Sequence, residues 1–125
     1  MRALILVLTG VATLLTALAA GAHHSISRHY HRNQSITVTG TVRAVLLHNP
    51  HAIMQIEVDA ASGGRDIWTL EMDDPGDLAA QGIVEGTFRA GDVVVAVGNP
   101  GREDTQSMFV RTMTRPADGL EYEDD

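Results

Sequence analysis

Beyond residue 34, hydrophobic and polar positions alternate through most of the chain, a period of two that assigns strands rather than helices. From Ser35 to Leu47, Ile36, Val38, Val42, Ala44 and Leu46 fall on one side and Thr37, Thr39, Thr41 and Arg43 on the other, predicting a long half-buried strand. Gly40 interrupts it where a strand loses packing, so a bulge or sharp bend is expected nearby. His48-Asn49-Pro50-His51 reads as a turn, because Pro50 fixes φ and offers no ladder donor. Ala52 to Ala60 predicts a second strand with Met54, Ile56 and Val58 toward the core, and Ala61-Ser62-Gly63-Gly64 closes a hairpin. In the third strand, Arg65 to Met72, the core side carries Trp68, Leu70 and Met72.

The pattern then changes. Asp74 can cap a helix with Pro75 at its first position, and Leu78, Ala79 and Gly82 fit two or three turns. Val93 to Val97 predicts a fourth strand buried on both faces, Asn99-Pro100-Gly101 a turn, and Ser107 to Arg115 the last strand. His23 to Gln34 lacks clean periodicity and reads as a polar arm, while residues 118–125 read as an acidic tail, frayed from Glu121 to Asp125. The barrel domain thus spans residues 35–117. Three strands, one short helix and two more strands give an all-β chain in the order of a five-stranded oligonucleotide/oligosaccharide-binding (OB) barrel, the helix plugging one end. An open antiparallel sandwich would not need that helix.

Residues 1–22 stand apart. Met1 and Arg2 precede an apolar run from Ala3 to Ala20, and Ala20-Gly21-Ala22 places small residues before a scissile bond, which predicts an exported chain cut after Ala22. An uncleaved anchor is the alternative, weakened by Thr9, Gly10, Thr13 and Thr16. Cleavage leaves a soluble mature chain of one domain's size, expected in the periplasm or secreted. With no cysteine there is no disulfide framework, haem-attachment motif or thiolate zinc site, and lysine is absent too. The formal charge of −7 argues against nucleic acid as a partner, because phosphate binding needs clustered cations.

One combination of residues is distinctive: His23-His24-Ser25, Thr39-Gly40-Thr41-Val42, Asn49-Pro50-His51, Trp68 to Glu71, Pro75, Leu78, Gly82 and Gly91-Asp92. Together they resemble a family of small exported proteins of unknown function, domain of unknown function 6152. The resemblance supports the domain layout and brings no established activity or ligand. The chain departs from it at His31, where an acidic residue is expected after Tyr30, and carries a further histidine at His48.

All six histidines lie between positions 23 and 51. Cleavage after Ala22 gives a terminal amine, the His23 imidazole, the next backbone nitrogen and the His24 imidazole, a nitrogen set that suits Cu(II), with Zn(II) as runner-up. The plainer alternative is two polar residues that follow a cleavage site by chance. Counting across the hairpin sets His51, Ile53 and Gln55 on the face of Thr69, Glu71 and Asp73, so His51 and Glu71 should be neighbours and are candidate ligands with His23 and His24. His48, in the same turn, is a further candidate, whereas His29 and His31 read as exposed arm residues. The arm's 12 residues reach up to roughly 40 Å, enough to join the terminus to the turn.

Other features have simpler readings. Trp68 fits the core better than a stacking platform, and Met54, Met72, Met108 and Met113 fit gap filling better than Cu(I) ligation. Arg102-Glu103-Asp104 reads as a solvated turn. No Gly-x-Ser-x-Gly, His-Glu-x-x-His or phosphate loop is present, Ser25 beside His24 makes no triad, and Asp73-Asp74 suits helix capping. Binding is therefore expected rather than catalysis, copper redox chemistry at the terminal histidine being the one enzymatic idea with a mechanism. The competing class is an interaction module, a soluble accessory of an envelope complex, using the face of Gln55, Glu57, Thr69 and Glu71.

Overall fold

The computed structural model describes residues 26–124. The leader and the candidate ligands His23 and His24 lie outside these residues. Six strands form one sheet in the order β3-β2-β1-β4-β5-β6: β1 (Ile36–Leu46), β2 (Ile53–Asp59), β3 (Arg65–Glu71), β4 (Val93–Pro100), β5 (Ser107–Arg115) and β6 (Leu120–Glu123). A parallel pairing of β3 with β5, Thr69 to Ser107 through Glu71 to Phe109, closes the first five into a barrel. This is the predicted OB-type architecture.

The core is the inward face of those strands. Met54, Ile56, Leu70, Met72, Val94, Ala96, Met108 and Val110 are fully buried, which removes apolar surface at roughly 25 cal/mol per Å². Met113 joins them, and Trp68 packs half-buried against the cluster. The helix α1 (Pro75–Ala80) supplies the fully buried Leu78. Asp74 starts it: its carboxylate accepts from the Gly76 and Asp77 amides, two donors without helical partners, while Pro75 has no donor to satisfy. Ile83 and Phe88, from the connection to β4, complete this end of the core.

β1 serves two neighbours. Its first half pairs with β4 and its second with β2, and the chain bends where the pairings exchange, near Gly40. A Cβ there would stand 2.6 Å from the Glu57 carbonyl oxygen and 2.9 Å from Ile56 Cδ1, so glycine permits the approach of β2. The bulge itself falls later, between Val42 and Ala44. One extra residue inverts the alternation. Ala44 and Leu46, expected inside, are therefore exposed, and Val45 and Leu47 turn to the core instead.

Four further expectations are corrected. Val93 is 49% exposed, so β4 is not buried on both faces. β4 also runs through Asn99 and Pro100 rather than turning there, with a register shift between Val97 and Gly98. The acidic end is not frayed over Leu120–Glu123, because the fully buried Tyr122 anchors it against Met113 in β5. Nor is the lead-in a free arm from residue 26 onward. Tyr30 bridges to Gly101, the His31 amide donates to the Pro100 carbonyl, the Arg102 amide donates to the His29 carbonyl, and the Asn99 side chain donates to the Gln34 carbonyl.

Candidate functional site

Two backbone bonds, Ala52 N–H to the Asp73 carbonyl and Met72 N–H to the Ala52 carbonyl, carry the β2–β3 ladder past the end of the strands. They fix His51 beside Glu71, as the count across the hairpin requires. Ile53 pairs with Glu71 and Gln55 with Thr69, and the His51 ring nitrogen Nδ1 lies 2.5 Å from Glu71 Oε1. A carboxylate accepts, so the contact is a hydrogen bond when Nδ1 carries the ring proton.

The second oxygen of Glu71 is also engaged. Tyr30, from the segment crossing the β4–β5 end, donates its hydroxyl to Oε2. Burial first, then the bond to Glu71 and its charge, push the Tyr30 hydroxyl well above the ordinary phenol range, so it remains a donor. Under the three polar groups lies Phe109, 1% exposed and paired with Glu71 across the barrel closure. Its ring centroid is 5.9 Å from Tyr30 and 6.0 Å from His51 in an edge contact. His51 and Glu71 keep only 22% and 23% of their side-chain surface exposed, which shields their pairing from water. Both residues line an open cleft of about 770 Å³, bounded also by Arg28, His29, Pro50 and Arg102.

Beyond Phe109, the Arg111 guanidinium lies 5.1 Å over the same ring, pairs with Asp124, and donates to Asn99 Oδ1 at 2.8 Å. Asp73 approaches Asp124 and accepts from the Tyr122 hydroxyl at 3.1 Å. Burial, followed by the hydrogen bond and charge of Asp124, pushes the Asp73 carboxyl up to about 6, against an opposing contribution from Tyr122.

The structure brings His51 and Glu71 together and leaves His48 apart. His48 is exposed, its Nδ1 lies 2.9 Å from the adjoining Asn49 carbonyl, and it does not line the cleft. His29 is exposed at the cleft's rim, and Arg102, rather than standing free, donates Nε to the Ser27 carbonyl at 3.2 Å. Glu103 and Asp104, which follow it, adopt φ of 61° and 53°, an uncommon conformation for two consecutive residues with side chains. No group of three His, Cys, Asp or Glu side chains suited to a metal ion occurs among the described residues. Tyr30 and Phe109 are the site residues that sequence reasoning missed. The available signal was Phe109 itself, an aromatic between the core residues Met108 and Val110, which requires cover on the outer face of β5.

The closed five-stranded barrel with its plugging helix defines an OB-type protein, with its cleft between the β1–β2 and β4–β5 connections. The chain belongs to the family of unknown function DUF6152, whose profile matches residues 12–109. No curated protein shows significant sequence similarity to it. Among solved structures it is similar to a mutant of TiaS crystallised with agmatine, at 16% identity and a TM-score of 0.52, over 74% of this chain and 26% of that one. It also resembles a mitochondrial single-stranded DNA-binding protein of S. cerevisiae, at 10% identity and a TM-score of 0.49, over 74% of this chain and 96% of that one. The chain thus spans about a quarter of that deletion mutant, and the likeness is one of fold.

Proposed function

We propose that the protein is an exported binding protein that captures Cu(II) or Zn(II) between its processed amino terminus at His23-His24 and the His51 imidazole. One observation carries this reading: Tyr30 and His51 bond to the two oxygens of one carboxylate, so the segment leading from the amino terminus runs to the candidate ligand. Residues 26–29 are helical and the Tyr30 amide donates to the Ile26 carbonyl, so Ile26 lies about 6 Å along the axis from Tyr30. His24 stands two positions before Ile26 in the sequence, a shorter tether than the 12-residue arm. The terminal amine and imidazoles favour tetragonal Cu(II), and a fourth nitrogen from His51 suits either ion.

The interaction-module reading has a different support. Glu57 on the face assigned to it is paired with Arg43 and Arg65, but Leu46 and Val84, 60% and 53% exposed, flank a hollow of about 250 Å³ floored by Met72, Ile83 and Phe88. Such an apolar patch suits a protein partner.

Calorimetric titration of Cu(II) and Zn(II) into the processed protein, its terminus verified by mass spectrometry, separates the readings. Tight stoichiometric binding, weakened both by one extra amino-terminal residue and by His51→Ala, is expected. Loss only on extending the terminus would mean a local peptide chelate, and no tight binding would leave the interaction module.

A further inference from the structure

We infer that Glu71 is a positioning residue that holds His51 in a single tautomer, with Nδ1 protonated and Nε2 bare, and that Tyr30 steadies the Glu71 carboxylate, so that Nε2 is the atom this fold offers to a metal ion. The inference rests on the metal-binding reading for its purpose, but the tautomer can be observed without any metal.

The chemistry follows from which atoms are taken. A neutral imidazole has one N–H and one lone pair, and the partner of one nitrogen decides the role of the other. Here Glu71 Oε1 lies 2.5 Å from Nδ1 and can only accept, which places the lone pair on Nε2. Glu71 is itself restrained. Its other oxygen accepts from Tyr30, and the backbone on either side is fixed by pairing with Ile53 and Phe109. The Phe109 ring, in contact with both Tyr30 and His51, opposes rotation of either away from the carboxylate. A carboxylate that donates no ligand atom but orients an imidazole through its far nitrogen is the common outer support of histidine metal sites. Glu71, considered above as a candidate ligand, is assigned that role here, since its two oxygens accept from His51 and from Tyr30. Tyr30 adds a link the carboxylate alone lacks, since it joins the chain leading from the amino terminus to the same support.

Long-range proton–nitrogen NMR correlations of the metal-free processed protein, recorded where the ring is neutral, read the His51 tautomer directly. The expected result is the Nδ1–H form in the native protein, retained in Tyr30→Phe and shifted toward Nε2–H in Glu71→Gln. Zn(II) affinity by calorimetry should fall about 10- to 100-fold in Glu71→Gln, and Tyr30→Phe should weaken it while leaving the tautomer unchanged. An Nε2–H ring in the native protein would overturn the positioning role whatever metal is bound. An Nδ1–H ring in a protein that binds neither Cu(II) nor Zn(II) would uphold the positioning and sink the proposed function. Because the native spectrum alone decides the tautomer, the test survives a variant that fails to fold.

Discussion

Replacing Asp73 by Asn should stabilise the protein at neutral pH, although it removes a charge from a well-packed site. The Asp73 carboxyl is pushed from 3.8 up to about 6, first by burial and then by Asp124. A raised carboxyl holds its proton more tightly in the folded state, so between about pH 4 and 6 the folded chain binds more protons than the unfolded chain. The associated stability is complete below about pH 4 and is lost as pH rises through about 6. Two units correspond to a ceiling of about 3 kcal/mol. Asp73 is only partly buried and solvent screens it, which brings the expected contribution to about 1 kcal/mol. Asn is neutral throughout and can still accept from Tyr122 and donate to Asp124. Thermal melts of both proteins from pH 4.5 to 7.5 should show the variant higher by roughly 4–8 °C at pH 7, for a domain of this size, with the gap closing toward acid. A lower melting temperature for the variant at pH 7, or a gap that does not change with pH, would refute the reasoning.

Other substitutions test the frame. Gly98→Ala places a Cβ 2.1 Å from the Phe109 carbonyl oxygen, which cannot retreat without breaking the β4–β5 pairing; urea unfolding should register a loss of about 3 kcal/mol. Asp74→Ala removes the acceptor for two amides at the start of α1 and should cost about 1 kcal/mol in the same assay. Tyr122→Ala empties the position that anchors β6 and should cost about 3–5 kcal/mol, with amide exchange in β6 rising toward that of an open segment.

Much of the barrel was legible because strand alternation is a local signal. The first three strands, the capped helix and β5 lie where the pattern set them, and the count across Ala61 to Gly64 placed His51 against Glu71. What escaped was decided by distant residues. The bulge after Val42 reversed the faces of Ala44 to Leu47, and only the requirements of β2 and β4 locate it. β6 was hidden because Glu121 and Glu123 make half of it and Asp124 and Asp125 follow, while Leu120 and Tyr122 still alternate with the two glutamates. Asn99-Pro100 resembled a turn, yet Asn99 spends its side chain on Gln34 and Arg111, and Pro100 offers the carbonyl that receives the His31 amide. Tyr30 was unreadable for the same reason: the partner that gives it a role is 41 residues away.

That separation sets when the site comes into being. Tyr30 and His51 meet at Glu71 across 41 and 20 residues, and the aromatic beneath them is brought in by the long-range pairing of β3 with β5. Topologies dominated by such contacts fold slowly, in milliseconds to seconds. A nascent chain therefore carries Tyr30, His51 and Glu71 as independent groups, and the arrangement forms together with the closed barrel. Under the proposed function, the compartment in which folding finishes, rather than the one in which the chain is made, decides which ions the assembled site first meets.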